Sequence, residues 1–102
     1  MEEDFKTGFE STFVTIDGFG LDGIERVFEE KFNKYKDDYR YLTDLVMVLY
    51  KRCRYWWGRK EPNHGLLYLD LYLKARDYAL ANLDGEELDY YIKIADLNTP
   101  ND

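Results

Sequence analysis

Between Leu21 and Asp37, the apolar residues Ile24, Val27, Phe28, Phe32 and Tyr35 recur at steps of three and four. That spacing collects them on one face of a helix. Asp22 stands where it can cap this helix, and Glu25 follows at the separation that lets a carboxylate reach back to the cap's own amide. Arg26, Glu30 and Lys34 ladder the outer face at four-residue spacing, each pair contributing about 0.2–0.5 kcal/mol. A second helix is predicted from about Tyr39 to Trp57. Leu42, Leu45, Val46, Leu49, Cys53 and Trp56 share one of its faces, and Gly58 follows as a terminating residue in the left-handed conformation.

The stretch from Leu66 to Leu73 alternates as a strand would, with Leu67, Leu69, Leu71 and Leu73 at every second position. Two features favour a helix instead. The pattern runs on into Ala75, Tyr78, Ala79 and Ala81, and Pro62 suits an opening helical turn. No neighbouring segment offers a second strong strand for it to pair with. A last helix is marked by Asp84 as cap, Glu87 as the other half of a capping box, and Leu83 and Leu88 as a hydrophobic staple. Leu88, Tyr91, Ile92 and Ala95 form its buried stripe, and residues 97–102 fray. Ahead of these, Phe5, Phe9, Phe13 and Ile16 fit a short N-terminal helix, although residues 12–16 also fit a short strand. The expected fold is all-α: a compact bundle of four main helices plus a short N-terminal helix, in one domain spanning 1–102.

Composition agrees with a single small domain. A chain of 102 residues buries roughly two-thirds of its unfolded surface, enough for a modest core. Its 45% hydrophobic and 34% charged residues are an ordinary globular mix. Ten Tyr, six Phe and two Trp are more rings than usual, suited to small cores and binding surfaces alike. The lone Cys53 rules out an internal disulfide, which favours a reducing compartment. The first residues, Met-Glu-Glu-Asp, are acidic where a signal peptide is positive, and the longest apolar run is Leu45 to Tyr50. A cytoplasmic protein without a membrane span is expected.

Charge changes the picture, because the net −7 is unevenly spread. Residues 1–50 carry −6, residues 51–65 carry +4, and residues 66–102 carry −5. The acidic body repels phosphate and favours approach to a basic protein. The basic island is the exception. In Tyr50-Lys51-Arg52-Cys53-Arg54-Tyr55-Trp56-Trp57-Gly58-Arg59-Lys60, cations alternate with rings, as in single-stranded nucleic-acid sites. Arg52, Arg54, Tyr55, Trp57, Arg59 and Lys60 are the candidate residues. The competing reading is structural, since a helix dipole favours cations near its C-terminus. The acidic candidates are Glu25 and Glu29 on the first long helix and Glu86, Asp89 and Tyr90 on the last. Acid beside exposed tyrosine suits a protein that blocks a basic cleft, and is equally an ordinary solvated face.

Nothing in the sequence assembles a catalytic site. His64 stands alone in an apparent Pro-Asn-His-Gly loop, and Cys53 falls on an apolar helix face where thiols are usually inert. No phosphate-binding glycine loop or nucleophile elbow is present. The pair Asp37-Asp38 reads as a helix cap rather than a cation site. No enzyme activity, metal or cofactor is expected.

The chain resembles a group of small proteins encoded on bacterial conjugative elements and related mobile DNA. The resemblance runs from about Phe9 to Asp96. It rests on Asp17-Gly18-Phe19-Gly20, the Ile24-to-Phe32 helix, Tyr41-Leu42-Thr43-Asp44-Leu45-Val46, Asp77-Tyr78-Ala79 and Gly85-Glu86-Glu87-Leu88-Asp89-Tyr90-Tyr91. The basic island departs from the group's pattern. The resemblance implies a host-facing accessory role, such as anti-CRISPR inhibition of an effector nuclease. Two functions are therefore expected in order: a stoichiometric protein inhibitor acting through the acidic tyrosine face, then a nucleic-acid-binding module using residues 50–60. Exposed aromatics also leave a homodimer open.

Overall fold

The computed structural model of the chain describes residues 20–96, which are helical except at their short connections. Helix α1 spans Leu21–Tyr35, α2 Tyr39–Gly58, α3 Pro62–Asn82 and α4 Gly85–Tyr91, after which the chain widens into one π-helical turn, Ile92–Asp96. The all-α bundle read from the periodicity is present, with no strand among the described residues. The N-terminal helix, its alternative strand at residues 12–16, and the tail at 97–102 lie outside the described residues.

Helix α2 is central because its apolar positions nearly encircle it. Leu42, Leu45, Val46, Val48 and Leu49 are all buried. Along its length it pairs with α3, which turns Tyr68, Leu71, Tyr72, Ala75 and Ala79 inward. α1 lies against both and contributes Ile24 and Phe28, while Tyr91 and Ala95 close the core against α2 from the chain's end. Many of the described aromatic residues go into this packing. Phe28 stacks on Phe32 at 5.3 Å, Phe32 meets the edge of Tyr78 at 5.1 Å, and Tyr35 stacks on Tyr41 at 4.2 Å. Each such pair adds about 0.5–1.5 kcal/mol beyond area burial.

The strand-like leucines of 66–73 are helical, as expected, because α3 has Pro62 at its first position and a long alanine-rich continuation. The helix ends differ more. α1 begins straight after Gly20, so Asp22 is a first-turn acid near the positive dipole end rather than a cap, and the helix stops at Tyr35. Asp38 does cap α2, its Oδ1 accepting from the amides of Arg40 at 3.0 Å and Tyr41 at 3.4 Å. Gly58 remains helical, and the left-handed residue is Lys60 at φ 60. The chain has only residues 59–61 in which to reverse into α3, and the amides of Lys60 and Glu61 close back onto the carbonyls of Trp57 and Trp56. Asp84 occupies the N-cap of α4 without a side-chain hydrogen bond. A capping box needs helical dihedrals from the first position, and Gly85 at φ 56 departs from them.

Candidate functional site at the α2–α3 turn

The reversal between α2 and α3 gathers the basic stretch at one end of the bundle. Arg52 points inward: it is only 8% exposed, with its guanidinium 4.3 Å from the Tyr55 ring centroid and 6.0 Å from that of Trp56. This withdraws it from the surface set read from the sequence. Arg59 comes over the same Tyr55 ring at 4.9 Å, and Arg54 lies 5.9 Å from Tyr50. Tyr55 thus holds two guanidinium groups in place. Arg54, Arg59 and Lys60 are exposed around it.

The adjacent tryptophans separate into different roles. Trp56 is half-buried, edge-on to Tyr55 at 5.2 Å and against the His64 imidazole at 4.4 Å. His64 is therefore not in an exposed loop as expected; it sits half-buried in the first turn of α3, because helix formation starts at Pro62. Trp57 is 57% exposed, and its indole lies across Gly65. The ring forms a wall shared by two clefts. One, of about 450 Å³, is lined by Cys53, Arg54, Trp57, Gly58 and Leu69. The other, of about 360 Å³, is lined by Trp57, Lys60 and Pro62. Each cleft therefore has its own cation.

Cys53 borders the larger cleft but is not poised for chemistry. Its Sγ donates to the Gly65 carbonyl at 3.4 Å, and burial pushes the thiol above its ordinary value. A thiol held protonated is a poor nucleophile.

The acidic residues are exposed on two separate elements. Glu25 and Glu29 lie on α1, Glu86 and Asp89 on α4, and these two helices do not contact one another. Tyr90 is half-buried, edge-on to Tyr39 at 5.2 Å. Desolvation, then the nearby Asp44 carboxylate, push its phenol above the ordinary tyrosine value. Gly65, Pro62 and Leu69 were not among the candidate site residues read from the sequence. Their signal was indirect: the fold of α3 back along α2 brings them to Trp57. Among the described residues, no three His, Cys, Asp or Glu side chains converge as a metal site would require, and no helix is long and apolar enough to cross a membrane. In comparisons with known proteins, the chain matches no family model, no curated protein and no solved structure.

Proposed function

We propose that the chain is a non-catalytic binding protein that holds single-stranded nucleic acid at the α2–α3 turn. The observation that carries this reading is the exposed Trp57 indole, with one cleft on the Arg54 side and another on the Lys60 side. A base stacked on an aromatic ring contributes about 1–3 kcal/mol without regard to sequence, and adjacent cations take the phosphates. Arg59, aligned by Tyr55, adds a third cation. The rest of the molecule limits the footprint. A net −7 overall and +4 over residues 51–65 leave −11 elsewhere, which repels phosphate beyond the site.

The test is anisotropy of a labelled oligothymidylate titrated with protein at several salt concentrations. Three phosphate contacts on a single strand give a slope of log affinity against log salt of about −2. Trp57→Ala weakens binding about 5- to 150-fold, and the double change Arg54→Ala with Arg59→Ala abolishes it. Absence of binding at low salt would remove this function.

A second reading, inhibition of a host defence nuclease such as a CRISPR effector by occupation of its basic groove, is supported by the −11 outside the basic island and by the likeness to mobile-element proteins. No single helix face gathers its candidate residues, which is why the basic end ranks first. If micromolar protein leaves cleavage and guide loading of several effector types unchanged, this second role fails.

A further inference from the structure

Helix α3 carries leucines on its outer face among exposed charged residues. A contiguous apolar stripe on a surface is normally covered by a partner. The inner face of α3 is covered by the core, yet Leu66, Leu69, Leu73 and Leu80 are exposed, Leu66 by 53%. Three of them recur at seven-residue intervals, and Leu69 falls three residues after Leu66, so all four share one stripe. The two rims of the stripe differ in charge. On the side toward α1 stand the exposed Asp70 and Asp77, with the exposed Lys74 beyond them turned over Phe28, and Tyr78 against Phe32. On the side toward α2, where Leu69 and Arg54 border one cleft, stands the half-buried Arg76.

We infer that this stripe is the interface of a homodimer in which two α3 helices pack side by side and run in the same direction. A twofold axis parallel to the helices rotates each acidic rim onto the other copy's basic rim. Asp77 then meets Arg76 of the second copy, and Leu73 meets Leu73 of the second copy at the centre. An antiparallel arrangement would instead set acidic rim against acidic rim, which like-charge repulsion disfavours. The interface is self-complementary, as a closed twofold dimer requires. Leu69 of the stripe also lines the Arg54-side cleft. A dimer therefore covers that cleft and leaves the Lys60 side of Trp57, which holds no stripe leucine, to nucleic acid.

Sedimentation equilibrium of the full chain from about 1 to 500 µM tests this, with far-ultraviolet circular dichroism and thermal melts as the check on folding. The expected result is a mass rising from that of the 12.3 kDa monomer to twice that value. Leu73→Glu, which places two carboxylates together at the centre, keeps the chain monomeric with its helicity unchanged. Asp77→Arg alone weakens the dimer about tenfold or more, and adding Arg76→Asp restores it. A chain monomeric throughout overturns the proposal and leaves the stripe to residues 1–19 or to another protein. A dimer that survives Leu73→Glu, or a double variant no better than Asp77→Arg, overturns the paired-rim arrangement.

Discussion

The Trp57 indole lies so close over Gly65 that a β-carbon at position 65 would stand 2.4 Å from its Cε3. No real contact is that short, so Gly65→Ala forces the ring aside. Helix propensity favours the alanine by about 0.5–1 kcal/mol, whereas overpacking costs about 1–3 kcal/mol. The expected outcome is a net loss of about 1 kcal/mol in urea unfolding, with a red shift in tryptophan emission. In a Trp57→Ala background the clash is gone, and the same substitution should stabilise by up to about 1 kcal/mol. A double-mutant cycle showing no coupling would contradict the packing.

Lys60 is the only described non-glycine residue at positive φ. A left-handed conformation costs an L-residue about 1–2 kcal/mol, and the greater unfolded freedom of glycine returns part of that. Lys60→Gly should therefore stabilise by about 0.5–1 kcal/mol, read as a higher urea midpoint at unchanged slope. The same change removes a cation beside Trp57, so oligothymidylate affinity should fall and its salt slope shrink by about 0.7. Stability and binding then move in opposite directions at one residue.

Two aspartates at equivalent N-cap positions should behave differently. Asp38 accepts two backbone amides, and Asp84 accepts none from its side chain. Asp38→Ala is expected to cost about 1 kcal/mol. Asp84→Ala is expected to cost little, although its sequence context, with Glu87 three residues on, is the more orthodox capping pattern. Chemical denaturation of both variants in parallel decides the matter.

That contrast shows what the sequence conveyed and where it stopped. Helices and buried faces were largely legible because 3.6-residue periodicity and burial arise from the same physics: Ile24, Phe28, Leu42, Leu45, Val46 and Leu49 were placed correctly. Ile92, assigned to the buried stripe of the last helix, is instead exposed where the chain widens into the π turn. The ends were less legible because they depend on dihedrals at single residues. Gly58 offered itself as the left-handed stop, yet the three-residue reversal placed that conformation at Lys60, and Gly85 spoiled a capping box that every neighbour favoured. The candidate site was half visible. Alternating cations and rings marked residues 50–60, but which side chains reach solvent depends on where α3 returns. That return buries Arg52, leaves Trp57 exposed and brings His64 onto Trp56.

Phe28 is fully buried, stacked on Phe32 and connected through it to Tyr78 on α3. It ties α1 to the α2–α3 pair. Truncation to alanine in a core costs about 3–5 kcal/mol, against a total of about 5–15 kcal/mol for a small domain. Phe28→Ala should lower the melting temperature by more than about 10 °C. Phe28→Leu, which keeps most of the volume, should lose less than half as much. Equal losses for the two would mean that the α1 contact is not a packed one.

Alkaline pH offers a test of the Cys53 environment. Burial raises its thiol pKa in the folded chain. In a window beginning near the ordinary thiol value, the unfolded chain has released this proton while the folded chain still holds it. The folded state then binds more protons than the unfolded state, so stability falls as pH rises through that window and is fully retained below it. Subtracting a Cys53→Ala series isolates the effect from Tyr90, whose raised phenol acts in the same direction at higher pH. The thiol should also alkylate more slowly than a free cysteine at pH 8, and faster as the pH climbs past the ordinary thiol range. Rapid alkylation at neutral pH would mean that the proton donated to Gly65 is easily lost, and that Cys53 is a reactive wall of the cleft rather than an inert one.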